Sequence, residues 1–142
     1  MGTNLLIRNI IWAMVIFVLC SVPGNDLPHT AMFEIPYFDK MVHFGLFFVM
    51  GIFLVAELRY QTNLSRIHIA LITFAFITIY GGTIEILQER YFVDRSGDYW
   101  DLLADVAGGI CSVLLFPFLK KQKDLLLNRK PFCNYSFLKK IL

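Results

Sequence analysis

The sequence predicts an all-α integral membrane protein, a four-helix bundle with both termini on the cytoplasmic side (N-in, C-in). Three observations carry that expectation. The 142 residues are 57% hydrophobic and only 17% charged, with a mean hydropathy of +0.61, outside the range of ordinary soluble domains. Four apolar runs, at about 5–22, 41–58, 67–88 and 100–119, fill most of the chain. Each is about long enough to cross a 30 Å hydrocarbon layer as a helix rising 1.5 Å per residue.

The third observation is the distribution of basic residues. Arg8, Arg59, Arg66 and seven lysines and arginines from Lys120 onward fall on one side of a four-span arrangement. Only Lys40, Arg90 and Arg95 fall on the other. The positive-inside rule assigns the richer side to the cytoplasm. Nine of the eleven acidic residues lie on the opposite, outer side, with Glu57 and Asp124 the exceptions. The whole chain, 1–142, reads as one membrane domain ending in a basic cytoplasmic tail, 120–142. No separate soluble module fits the length, and no nucleic-acid partner is expected.

Each element has its own signal. The first run lacks a small-x-small cleavage pattern, so it is expected to stay as a helix. Val22-Pro23-Gly24-Asn25-Asp26 stops it. The outer loop that follows places Phe33, Ile35, Tyr37 and Phe38 along the interface. Residues 60–66 form a short polar hairpin, which makes helices two and three antiparallel neighbours. Tyr37, Tyr91, Tyr99 and Trp100 form an outer aromatic belt. The tail, with Phe132, Phe137, Leu138 and Ile141, is expected on the anionic inner leaflet. Ala104, Gly108 and Ser112 recur every four residues, the small-residue pattern that lets helices approach closely in lipid. Gly109 widens that face, and Gly81 and Gly82 offer a similar surface on helix three. Cys20, Cys111 and Cys133 lie at different depths and are expected as unpaired packing residues.

Ionisable residues inside the apolar runs are the functional signal, because charge in lipid is costly. Asp39, Lys40 and His43 share one face of helix two by their three- and four-residue spacing. Glu85, Gln88 and Glu89 share a face of helix three; Asp98, Asp101 and Asp105 share one of helix four. His43 and Glu85 lie about 4 Å inside their helices and Asp105 about 7 Å, so all three stripes reach the outer third of the bilayer. They are expected to converge on a polar pocket opening outward, formed by Asp39, Lys40, His43, Glu85, Gln88, Arg95, Asp101 and Asp105. His29 and His68 lie too far away to join it.

Three meanings fit such a pocket. One is an interhelical hydrogen-bond network fixing helix register. Another is a ligand site, with Lys40, Arg90 and Arg95 available to an anionic or peptide group. The third is a metal or catalytic site, in which His43, Asp39, Glu85, Asp101 and Asp105 supply ligand types for a divalent cation, or a Glu–His pair acts as general base. No metal motif is spelled out, and no cofactor or metal is assigned. An ion path is not expected, since helix one and the inner halves of the helices lack polar residues.

The blocks Asp39-Lys40-x-x-His43-Phe44, Glu85-Ile86-Leu87-Gln88 and Arg95-Ser96-Gly97-Asp98-x-x-Asp101-Leu102-Leu103-Ala104-Asp105-x-x-Gly108 resemble, in order, the signature blocks of the VanZ-like family. That family commonly carries asparagine where this chain has Asp105. The resemblance implies a small bacterial inner-membrane protein, multi-pass and without a transferable catalytic reaction. The family's namesake lowers susceptibility to the glycopeptide teicoplanin. The implied partners are therefore the bilayer and a cell-wall precursor, lipid or glycopeptide ligand. A non-enzymatic binding role is the leading expectation; the alternative is a metal-assisted enzyme acting on a lipid head group.

Overall fold

A computed structural model describes residues 2–23 and 37–128. Four helices make it up: α1 (Gly2–Ser21), α2 (Phe38–Gln61), α3 (Arg66–Tyr91) and α4 (Tyr99–Asn128). No strand occurs among the described residues. The loop holding His29, Phe33 and Ile35, and the tail from residue 129, lie outside them.

Local sequence explains the helix ends. Ser65 caps α3, its hydroxyl accepting from the His68 backbone N–H and sitting 2.7 Å from His68 Nδ1. Thr62 closes α2, its backbone N–H and hydroxyl both donating to the Leu58 carbonyl. Asp98 caps α4 by accepting from the Trp100 N–H at 2.9 Å, the geometry that makes aspartate a favoured cap. Tyr37 enters α2 in the left-handed region, φ 64°, an uncommon conformation for a bulky residue.

Among the described residues, α2, α3 and the Tyr99–Lys121 part of α4 are long and apolar enough to cross a membrane, and α1 contributes the apolar stretch Leu6–Ser21. α4 continues past the expected stop at 119 to Asn128, because Lys, Gln and Leu there favour helix once the membrane segment has nucleated it. Pro117 is accommodated inside α4, as transmembrane helices often allow. Large apolar side chains such as Leu114, Ile79 and Met41 are exposed on the outside of the bundle, the surface that lipid would cover.

α2 is the hub, packing on α1, α3 and, most extensively, α4. Both α2 and α4 run from the acidic end to the basic end, so they are parallel neighbours and α3 is the antiparallel return. Their seam keeps one register: Lys40 meets Asp101 at a separation of 61 residues, and His43 meets Asp105 at 62. Gly51 meets Ser112 deeper down, again 112 − 51 = 61 apart. A Cβ on Gly108 would run into the Phe44 carbonyl and the Phe48 amide, so this glycine lets the two backbones touch. Gly109 similarly admits Ile77 of α3. Gly82 does not serve in this way, since a Cβ there would meet nothing within 4 Å.

α1 is held by aromatic tips as well as by apolar contact. Ile16 and Cys20 join Phe47, Met50, Ile77 and Ile84 in the buried core. Trp12 donates its indole N–H to the Leu46 carbonyl at 3.0 Å, and Tyr80 donates its hydroxyl to the Ala13 carbonyl at 2.7 Å. Toward the basic end, Asn9 donates to Glu57, and the Arg8 guanidinium stacks on Phe53 at 4.2 Å. Cys20 and Cys111 are both free thiols.

These contacts separate two kinds of glycine. Gly108→Ala is expected to destabilise the bundle by about 1–3 kcal/mol, the usual cost of overpacking, because rigid backbone blocks the new methyl. Gly82→Ala is expected to leave stability unchanged or slightly raised. Thermal melts of the purified protein in detergent check both.

Candidate functional site

Three helix ends meet at the acidic end of the bundle. α2 supplies Lys40 and His43 in its first two turns, α3 supplies Glu85 near its end, and α4 supplies Asp101 and Asp105. Helical spacing of three and four residues makes each set one stripe, and the register of α2 on α4 brings the stripes together.

The upper part is an ion-pair cluster. Lys40 Nζ lies 2.6 Å from Asp98 Oδ2 and 3.0 Å from Asp101 Oδ1. Asp101 is buried, whereas Asp98 is partly exposed. The Lys40 ammonium, helped by the Trp100 N–H, holds the Asp98 carboxyl below the usual aspartate range. Glu85 Oε2 accepts from the Asp98 backbone N–H at 2.8 Å, which ties the end of α3 to the start of α4.

The lower part is drier. His43, Glu85 and Asp105 are 3%, 8% and 0% exposed. His43 Nδ1 lies 3.0 Å from Asp105 Oδ1 and 3.8 Å from Glu85 Oε1. Two carboxylate oxygens, Glu85 Oε1 and Asp105 Oδ2, are buried without a hydrogen-bond donor among the described residues. Such groups are rare in folded proteins because burying an unpaired acceptor is costly. Asp105 Oδ2 rests against Gly81, where a Cβ would come within 2.6 Å; Gly81 therefore leaves room for the carboxylate.

Of the eight residues expected around one pocket, Lys40, His43, Glu85, Asp101 and Asp105 converge directly. Asp39 is exposed at the rim, with a carboxylate oxygen that falls within 4.8 Å of ligand atoms on His43 and Asp101. Gln88 and Arg95 are directed elsewhere. Gln88 donates to the Cys20 carbonyl at 3.2 Å and Arg95 to the Val22 carbonyl at 2.9 Å, so both fasten the end of α1. Lys40 is not free to receive an anion, because Asp98 and Asp101 already hold it. Asp98, read as part of the helix-four stripe though not among the eight, completes the centre together with Gly97. A Cβ on Gly97 would press on the Glu85 carbonyl at 2.6 Å, and its N–H donates to Glu89. The sequence placed Asp98 in a stripe with Asp101 and Asp105; the structure sets it one residue before α4, where aspartate caps.

Chemically, the centre sets one ammonium and one imidazole against the carboxylates of Asp39, Glu85, Asp98, Asp101 and Asp105. Its unsatisfied atoms are acceptors, so it suits a donor-rich or cationic group. His43, Glu85 and Asp105 also offer ligand atoms mutually within 4.8 Å, a donor set compatible with a divalent cation.

Two outcomes test this arrangement. Lys40→Met is expected to lower stability by about 3 kcal/mol by leaving buried Asp101 unpaired, with partial recovery in the Lys40→Met/Asp101→Asn double variant, read from melting curves. The depressed Asp98 pKa stabilises the fold above the ordinary aspartate value, near 4, and that contribution disappears as pH falls through the lower folded-state value. Melting temperature should therefore drop on acidification below about pH 4, and the drop should be smaller in Asp98→Asn.

Residues 3–120 match the family model described as VanZ/LLP1. Neither a curated protein nor a solved structure gives a significant match.

Proposed function

The chain belongs to the VanZ/LLP1 family, and from that premise we propose a multi-pass protein of the bacterial inner membrane that binds an envelope or lipid-linked ligand at its acidic end. The basic end carries Arg59, Arg66, Lys120 and Lys121, and the positive-inside rule puts it in the cytoplasm. The acidic centre then faces the compartment where wall precursors and glycopeptides meet.

One observation supports binding above a purely structural network. Glu85 Oε1 and Asp105 Oδ2 are buried with no donor among the described residues, whereas a network selected only for helix register would pair them. The missing partners are hydrogen-bond donors, of which peptides, sugars and glycopeptides have many. Occupying these acceptors would recover part of the desolvation cost that folding incurs there. Modulation of teicoplanin susceptibility is the phenotype this reading implies.

The test uses purified protein and labelled teicoplanin, with a lipid-linked wall precursor as second probe. At least one is expected to bind, with affinity falling about tenfold or more in His43→Ala, a loss of at least about 1.4 kcal/mol. Helical content should stay unchanged. If neither probe binds, and cells with and without the protein are equally susceptible, the reading fails.

A second reading rests on the His43, Glu85 and Asp105 ligand set: a metal-assisted enzyme acting on a lipid head group. Stoichiometric divalent metal in the purified protein, lost in His43→Ala, would favour it. Metal-free protein and unchanged lipid profiles after deletion would reject it.

A further inference from the structure

At the far end of the bundle lies a cavity of about 270 Å³, between the end of α2, the start of α3 and the membrane-exit turn of α4. Lys40 and Arg59 are nineteen residues apart on α2, about 28 Å along the axis, so this space is separate from the acidic centre. Its rim carries Arg59, Arg66 and Lys120, and its wall includes Val113, Phe116 and Pro117.

The charge arrangement calls for a counter-ion. Three cations from three helices line one cavity, and no carboxylate among the described side chains forms a salt bridge with any of them. Lys120 lies instead over the Tyr60 ring, 5.4 Å from its centroid. Like charges gathered around a partly apolar space repel one another unless an anion joins them. Two guanidinium forks and an ammonium match the oxygens of a phosphate ester. Pro117 has no N–H for the carbonyl of Val113 four residues back, and both residues line the cavity.

We propose that this cavity binds the phosphate headgroup of an anionic membrane lipid. Its source in the bilayer follows from the surroundings. Leu114, Phe118 and Leu119 are exposed beside it on α4, a surface for acyl chains, while the cations sit where a membrane helix meets the headgroup layer. Basic pockets between transmembrane helices are a recurrent way of holding such lipids. The proposal uses none of the residues of the acidic centre and stands whether or not that centre binds a ligand.

Native mass spectrometry of the full chain in detergent tests it with phosphatidylglycerol, phosphatidylcholine and inorganic phosphate as probes. Phosphatidylglycerol adducts are expected at about tenfold lower concentration than phosphatidylcholine adducts. Arg66→Gln and Arg59→Gln should each remove most of that preference. Lys121→Gln, an exposed cation outside the cavity, should leave it intact. Arg59 and Arg66 are exposed, so both variants should keep wild-type melting curves; Lys120→Met provides an independent third variant. Equal preference for the two lipids, or equal loss in Lys121→Gln, overturns the site. Displacement of the lipid by millimolar inorganic phosphate assigns the cavity to a soluble phosphate ester and overturns the lipid assignment.

Discussion

Keeping charge in a low-dielectric layer is possible only if each charge finds a partner, and this bundle is organised around that requirement. Lys40 between Asp98 and Asp101, and His43 between Asp105 and Glu85, connect all three long helices at one end. An isolated lysine or carboxylate there would face the full cost of desolvation. Together they offset much of it, and the arrangement leaves little freedom for α3 or α4 to slide along α2. Two of its acceptor oxygens, Glu85 Oε1 and Asp105 Oδ2, nevertheless have no donor among the described residues.

The pairing depends on how closely the helices approach. Between hydrocarbon surfaces in lipid there is no hydrophobic drive to association, so contact relies on fit and polar bonds. Gly108 lets α4 reach the backbone of α2, Gly51 receives Ser112, and Gly81 receives Asp105. Because α2 and α4 are parallel, these contacts progress in step along one seam. A shift by a single residue would rotate each stripe by about 100° and break every pair at once.

The two ends of the bundle pose opposite electrostatic problems. At one, carboxylates outnumber their cations; at the other, Arg59, Arg66 and Lys120 line a cavity with no acidic partner among the described side chains. The first concentrates polar groups inside the membrane layer, the second at its edge. Between them, among the described residues, the buried polar side chains are Thr73 and Ser112.

Much of this was legible in the linear chain. Hydropathy fixed the helices, because a membrane helix must satisfy its own backbone and needs about twenty apolar residues to do so. Three- and four-residue spacing put Lys40 with His43, and Asp101 with Asp105, on single faces, since helical geometry is local. Which faces meet is not local. Gln88 and Arg95 lie beside the acidic stripes in sequence, yet they fasten α1 through the Cys20 and Val22 carbonyls. Lys40, a free cation on paper, is held by two carboxylates about sixty residues away. The basic cavity combines residues from three helices whose charges, read one at a time, signalled only orientation. Sequence periodicity determines which residues share a side of a helix; only packing decides what that side touches, because backbone carbonyls, partner charges and empty volume are supplied by other elements.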